Sequence, residues 1–208
     1  MSLGFYIDTS ACSGCKACQV ACKDTHDLEA GRLWRRVATV EGGEWVRQGA
    51  AWTTTAFAYS VSISCMHCEK PACVEGCPTG AMHKQEDGVV AIDAERCIGC
   101  RYCEWTCPYG APRYDPAALR MTKCDFCAAE RAAGRPPACV AACPMRALDF
   151  GELADLERRH GTTRDLDPLP NSSLSRPSVV VKRRTVPGGH PPLAIALQTP
   201  RIGNREEL

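Results

Sequence analysis

Sixteen of the 208 residues are cysteine, and they fall into four groups of four. These are Cys12, Cys15, Cys18, Cys22; Cys65, Cys68, Cys73, Cys77; Cys97, Cys100, Cys103, Cys107; and Cys124, Cys127, Cys139, Cys143. The first and third read C-x2-C-x2-C-x3-C, the spacing with which a short loop wraps an iron–sulfur cluster. A proline follows the last cysteine of the second, third and fourth groups (Pro78, Pro108, Pro144), while Lys23 takes that place in the first, a departure that does not threaten ligation. No cysteine is left over. Four complete sets imply four 4Fe–4S clusters and the chemistry of single electrons.

The spacing has a physical cause. Cysteines three apart in a tight loop aim their sulfurs to one side, and a fourth, at the start of a helix, reaches the other cluster of a two-cluster module. Gly14 and Gly99 stand between the first two cysteines of their groups, where the backbone is expected to pass close to the cluster and a side chain fits poorly. Zinc is satisfied by two C-x2-C pairs and has no use for a further cysteine three residues on. A disulfide framework suits a short secreted chain, and residues 1–8 carry no charged n-region or cleavage site, so no leader is expected.

Around the cysteines the chain has little to pack. Aromatics are 6% of residues, so bound clusters are expected to organise loops that bury too little apolar surface themselves, leaving the apo chain poorly folded. The formal charge is +1 with cysteines neutral. Each oxidised cluster with four thiolates adds −2, which takes the loaded protein to about −7. Lys16, Lys23, Lys70, Arg96, Arg101, Lys123 and Arg146 stand beside ligands. They either offset that charge or are ordinary solvated surface. No run approaches the roughly 20 apolar residues of a membrane span, and no nucleic-acid partner is expected. Thiols kept reduced for cluster assembly point to maturation in the cytoplasm.

An internal repeat organises the chain. Ile7-Asp8, three residues, then Cys12-x-Gly14-Cys15 matches Ile92-Asp93, three residues, then Cys97-x-Gly99-Cys100. The second and fourth groups share a widened third gap and a following alanine (Ala81, Ala147) that opens a short strand. Residues 81–84 and 89–93 flank Asp87-Gly88 and read as a hairpin. The connector 109–123, with Pro112 and Pro116, reads as an irregular crossing. The fold class is therefore α+β: two ferredoxin-like 2×(4Fe–4S) modules, one nested in the other. Residues 57–111, carrying the second and third groups, form the inner module; 1–56 and 112–160 form the outer. Residues 32–55 read as strands around a Gly42-Gly43 turn, and 152–159 as a short helix. Residues 161–208 hold Pro168, Pro170, Pro177, Pro187, Pro191, Pro192 and Pro200 and form a long, irregular C-terminal arm. It is either a floppy end or an arm laid over a partner, and isolated apolar patches such as 179–181 favour the arm.

With groups, nesting and arm in view, nearly the whole chain resembles the iron–sulfur electron-transfer subunits of dimethyl sulfoxide reductase. More broadly it is similar to the four-cluster subunits of molybdopterin oxidoreductase complexes. The segments that carry this include Ile63-Ser64-Cys65-x-His67-Cys68, Cys97-Ile98-Gly99-Cys100-Arg101-Tyr102-Cys103, Cys107-Pro108-Tyr109-Gly110-Ala111-Pro112 and Arg146-Ala147-Leu148-Asp149-Phe150-Gly151. The resemblance implies a role in anaerobic respiration, within a heterotrimer held at the cell membrane by its partners, on a face left open. A multi-span membrane subunit oxidises quinol, a molybdopterin catalytic subunit reduces the substrate, and this chain passes electrons between them. It implies the ligand sets Cys12, Cys15, Cys18 with Cys143; Cys124, Cys127, Cys139 with Cys22; Cys65, Cys68, Cys73 with Cys107; and Cys97, Cys100, Cys103 with Cys77. In related nitrate reductases a tryptophan stands at the place of Cys100 and gives a 3Fe–4S cluster; here all four are expected to be cubanes. The set of Cys97 then faces the membrane subunit and the set of Cys12 the molybdenum subunit.

Of the five histidines, His67 is expected beside a cluster, where hydrogen bonding would tune its potential. His26, His83, His160 and His190 read as surface or structural. Tyr102, Trp105 and Tyr109 read as packing that shields a cluster. No phosphate loop, nucleophile elbow or carboxylate pair is present, so the chain is expected to be non-catalytic. Two other readings compete: a free polyferredoxin, and the equivalent subunit of a complex acting on polysulfide, selenate or formate.

Overall fold

The computed structural model describes residues 2–186, and its largest sheet joins the two ends of that stretch. Strand β1 (Leu3–Asp8) lies between β10 (Leu148–Glu152), antiparallel to it, and β11 (Val179–Lys182), parallel to it. Period-two alternation sorts the strand residues onto two faces. Phe5, Ile7, Leu148, Val179 and Val181 enter the main core. Tyr6 and Val180 turn the other way, onto Leu153 and Leu156 of helix α6 (Leu153–His160). Both faces of β1 are covered, which explains its nearly continuous apolar run.

The long stretch linking these strands is built around the cysteines. Helix α1 (Ala17–Thr25) carries Cys18 and Cys22, and it packs on α5 (Ala138–Ala141), which carries Cys139. Helix α2 (Ala72–Glu75) carries Cys73 and packs on α3 (Tyr102–Thr106), which carries Cys103. Helix α4 (Ala128–Ala132) starts at Cys127. These helices are too short to stand by propensity and have no side-chain caps, so their stability must come from what they pack around.

The expected hairpin after the second group is present: β6 (Met82–Lys84) pairs antiparallel with β7 (Val90–Ile92). The expected helix at 152–159 falls at Leu153–His160. Three expectations need correction. The connector 109–123 is itself a hairpin of β8 (Arg113–Asp115) and β9 (Arg120–Thr122). Pro112 and Pro116 fall just outside the strands, and Asp115 Oδ1 accepts from the N–H groups of Ala117 and Ala118 to fix the turn. A contrast between regular and irregular connectors therefore does not tell the modules apart.

The Gly42-Gly43 pair is not a turn. Strands β2 (Arg36–Gly42) and β3 (Trp45–Gln48) run on in one register against β4 (Ala51–Thr54) and β5 (Phe57–Ile63), and the backbone reverses at Gly49 and Ala50. Gly43 marks a break in this long ribbon: its φ is +89°, and a Cβ there would meet the Thr55 carbonyl oxygen at 2.3 Å. The outer half, β3 and β4, is exposed on both faces, Trp45 and Trp52 included.

The C-terminal arm is laid over this chain itself as far as Val186. Leu166, Leu169, Val179, Val181 and Val186 are buried in the main core. Between them the arm crosses the second cysteine loop: Glu69 and Lys70 donate N–H bonds to the carbonyls of Arg176 and Ser175, and Ser178 donates to that of Met66. Isolated apolar patches suffice because a core already exists for them to join. The rest of the arm, with Pro187, Pro191, Pro192 and Pro200, lies outside the described residues.

The valines of β11 at about 1.5–3 kcal/mol each, discounted for surface already hidden in the unfolded chain, come to roughly 5 kcal/mol. Ending the chain at residue 160 is therefore expected to give insoluble or cluster-poor protein. Ending it at Val186 should leave the ultraviolet–visible spectrum and thermal transition near those of the full chain. Equal spectra and transitions for both truncations would contradict the packing of the arm.

Candidate iron–sulfur sites

Short loops with inverted backbone turns place the thiols. Gly14 and Gly99 have φ of +74° and +68°, and the residues one past the second cysteine, Lys16 and Arg101, are left-handed at +62° and +63°. The two halves of the sequence repeat thus share one loop conformation. A side chain at Gly14 would meet Ser60 Oγ and one at Gly99 the Leu119 carbonyl oxygen, each 2.4 Å from a built Cβ. Upstream, Asp8 Oδ1 accepts from the backbone of Ser10 and Ala11, and Asp93 Oδ1 from that of Glu95 and Arg96. The repeated Asp is a turn residue holding the loop that follows.

All sixteen thiols are free of disulfides, and eight of them line two cavities, four in each. Cys12, Cys15, Cys18 and Cys143 line one cavity, walled by Ile7, Val37, Met145 and Leu148. Cys77, Cys97, Cys100 and Cys103 line a second, walled by Met82, Ile92, Ile98 and Met121. Cys22 lies within electrostatic reach of Cys139 and Cys127, and Cys124 of Cys139. Cys73 lies within reach of Cys65, Cys107 and Cys68. In both cavities the fourth thiol comes from a different group than the other three. Cys18 also lies within electrostatic reach of Cys139, and Cys124 within that of Cys65.

Burial, then the neighbouring thiols, pushes Cys22 and Cys68 up to about 12; burial, then neighbouring thiols, pushes Cys103 up to about 11. Burial does the same to Cys127, up to about 11. Such thiols ionise only with positive charge beside them. Cys77 is the exception: despite burial, its pKa is lowered by hydrogen bonds from Met82 N–H, 3.3 Å from the sulfur, and from Thr79. Ala111 N–H and Met121 N–H point in the same way at Cys107 and Cys97, each at 3.4 Å.

His26, read as surface or structural, stands beside a thiol. His26 Nε2 lies 3.2 Å from Cys127 Sγ and 3.9 Å from Asp125 Oδ1, and its ring leans on Trp34. A signal for it was in the sequence: Cys18, Cys22 and His26 are spaced by four and share a face as α1 ends. His67 is a core residue between Phe5 and Phe126. Its Nδ1 accepts from Val90 N–H, its Nε2 has no partner, and burial, reinforced by Lys123, holds its pKa well below the usual imidazole value. His83 bonds its own strand, and His160 stacks on Tyr6; His190 lies outside the described residues.

The cations divide likewise. Lys123 is buried, donates to the carbonyls of Val90 and Cys124, and acts on the Cys73 thiol. Arg96 and Arg101 bond protein partners, Thr79 and Glu104, at the surface. The deepest cation is one the sequence did not single out, Arg35, 1% exposed. Of the aromatics expected to shield a cluster, only Tyr109 is buried, bonded to Ser175. Tyr102 and Trp105 are exposed, beside exposed Ile98 and Leu119. No described helix is long and apolar enough to cross a membrane.

Comparison with known proteins agrees with this reading of the thiols. A family model described as a 4Fe-4S dicluster domain matches residues 56–153. The B subunit of anaerobic dimethyl sulfoxide reductase from Escherichia coli K12 is 50% identical over 179 residues, covering 86% of this chain and 87% of the relative. The thiosulfate reductase electron transfer subunit PhsB of Salmonella typhi is 42% identical, over 72% of this chain and 76% of its own. The B subunit of polysulfide reductase from Wolinella succinogenes is 39% identical, over 73% and 77%. Identity at this level over most of both sequences leaves one assignment: this protein belongs to the family of anaerobic dimethyl sulfoxide reductase B subunits, iron–sulfur proteins that carry electrons for a reductase whose catalysis lies in another subunit.

Proposed function

We propose that this chain holds four 4Fe–4S clusters and passes electrons from a quinol-oxidising, multi-span membrane subunit to a molybdopterin catalytic subunit, in a heterotrimer that reduces dimethyl sulfoxide. The ligand sets are Cys12/Cys15/Cys18/Cys143, Cys22/Cys124/Cys127/Cys139, Cys65/Cys68/Cys73/Cys107 and Cys77/Cys97/Cys100/Cys103. The donor chemistry fits: free thiols in fours, apolar walls, and backbone N–H groups aimed at sulfur. A 4Fe–4S cluster supplies a centre that takes up and releases one electron at a time. The protein holds the sulfurs, keeps water off the inner sets and fixes the order of the sets.

What supports that order is a series of neighbouring thiols and helices, and it carries the proposal. Cys18 adjoins Cys139 and Cys124 adjoins Cys65, so the first three sets follow in series. Packing of α2 on α3 joins the third to the fourth, since each helix carries a thiol of one set and leads into a thiol of the other. Only the outermost sets have an exposed thiol, Cys15 at one end and Cys100 at the other. Exposed apolar side chains accompany each: Met145 lines the first cavity with Cys15, and Ile98 lines the second with Cys100, with exposed Tyr102, Trp105 and Leu119 in the same region of the chain. A free polyferredoxin has no need of such ends. The larger apolar end suits the membrane subunit, with the nested modules (57–111 inside 1–56 and 112–160) between it and the molybdopterin subunit. The protein matures in the cytoplasm and sits at the membrane through these partners. Dimethyl sulfoxide is favoured over polysulfide or thiosulfate because identity to the B subunit of its reductase is the higher, 50% against 39% and 42%.

Anaerobically purified protein should contain iron and acid-labile sulfide near sixteen each per chain, at four per cluster. Values near eight would mean that two of the sets hold no cubane.

Cys100→Ser tests the direction of flow. It removes one thiolate from the set at the membrane end, so about one iron should be lost per chain and a 3Fe–4S signal should appear in the oxidised protein. A potential raised by 200 mV traps the electron by about 5 kcal/mol, at about 0.7 kcal/mol per 30 mV for one electron. Substrate reduction from an artificial donor to the catalytic subunit should survive while quinol-supported turnover collapses. Normal quinol turnover in a variant shown to carry the three-iron signal would remove this set from the path.

A further inference from the structure

Arg35 is the residue that the thiol geometry leaves unexplained. It is 1% exposed, with its Cζ 4.9 Å from the centre of the Phe5 ring. One of its nitrogens is satisfied: Nη1 donates to Ser62 Oγ at 3.0 Å, and that oxygen lies 3.4 Å from Cys18 Sγ. Nε and Nη2 have no hydrogen-bond partner, and among the described residues no carboxylate pairs with the guanidinium. A buried cation costs several kcal/mol unless an opposite charge faces it.

The groups that face it are thiols. Cys139, Cys124, Cys18 and Cys22 lie within its electrostatic reach, and it acts in turn on Cys18, Cys22, Cys124 and Cys127. Cys18 belongs to the first proposed ligand set, while Cys22, Cys124, Cys127 and Cys139 belong to the second. One guanidinium therefore stands between two sets, with two of its nitrogens, Nε and Nη2, unpartnered.

We propose that Arg35 is the shared internal counter-charge of the first two ligand sets, positioned so that one fixed cation makes both easier to assemble and to reduce. This rests on the ligand sets proposed above. Thiolates and the inorganic sulfur of a bound cluster give the orphan N–H groups their acceptors, and the negative charge of both sets offsets the buried cation. An electron added to either set is added beside a fixed positive charge, which raises the potential of each relative to a neutral surrounding. Ser62 holds the guanidinium in place and ties it to Cys18, and Phe5 covers its face. Lys123 stands in a comparable place beside Cys73 of the third set, but two of its three donors are spent on carbonyl oxygens.

The test uses the assembled complex carrying Arg35→Lys or Arg35→Met, with iron content and redox-poised EPR as readouts. The iron content of the unaltered complex tests the ligand sets separately, so a failure there is not confused with a failure here. Arg35→Lys keeps the charge and is expected to keep the iron and both signals. In Arg35→Met the reduced-to-oxidised ratio of both sets at a fixed potential should fall at least tenfold, about 59 mV for one electron, while the signal of the Cys77/Cys97/Cys100/Cys103 set stays in place. Loss of iron from both sets together in Arg35→Met, with Arg35→Lys intact, supports the same role in assembly. Full iron with unmoved potentials in Arg35→Met overturns the proposal. So does a shift confined to one set, or an Arg35→Lys variant as damaged as Arg35→Met.

Discussion

A thiol buried away from water keeps its proton unless a cation meets it, and this molecule buries most of its cysteines in its core. Burial raises Cys22 and Cys68 to about 12, and Cys124 well above the usual thiol value. Under the proposed ligation, cluster binding supplies the positive charge that releases those protons, which couples binding to folding. The helices around the thiols are four or five residues long apart from α1, and none has a side-chain cap. Without something to pack around, such turns do not persist. The buried guanidinium of Arg35 poses the same problem with the opposite sign; under the proposed ligation the iron of each cluster core meets the thiolates, and the net negative charge of the loaded sets meets the guanidinium.

Around that centre, ordinary hydrophobic packing does two jobs. The sheet of β10, β1 and β11, with α6 on its outer face, clamps the N-terminal strand to residues 148–182. The first and fourth cysteine groups are thereby held together despite their separation in sequence. The arm then crosses the second group, with Ser175 beside Cys68 and bonded to Tyr109. Tail residues thus complete the wall of an inner site, while the outermost sites keep one thiol at the surface. A carrier between two partners needs this asymmetry: closed in the middle, open at the ends.

The sequence made the chemistry legible because cysteine spacing is set by cluster geometry and survives without tertiary context. The hairpin at 81–93 and the helix near 153–160 were legible for a related reason, since Asp87-Gly88 and the apolar period are local signals. What escaped was non-local. The arm read as coreless because its strand, Val179–Lys182, gains a partner only when β1 is in place. The ribbon of residues 36–63 hid its reversal, since Gly42-Gly43 advertised a turn more loudly than Gly49-Ala50. In the connector 109–123 the prolines drew attention, although they merely bound a hairpin that Asp115 closes. Arg35 gave no signal: it is one of two adjacent arginines, and only the fold separates it from Arg36, which bonds the Tyr109 and Gly110 carbonyls. His26 could have been found by its helical spacing from Cys18 and Cys22.

In the proposed wiring the thiols cross between groups, so that each set takes three cysteines from one group and the fourth from another. Single serine substitutions of the crossing residues, read by EPR of the reduced complex, test this most directly. Cys77→Ser should alter the same signal as Cys97→Ser, and Cys107→Ser the same signal as Cys65→Ser, each leaving the other three in place. If Cys77→Ser instead alters the signal assigned through Cys65, each group closes on its own cluster, and the crossed, nested arrangement is wrong.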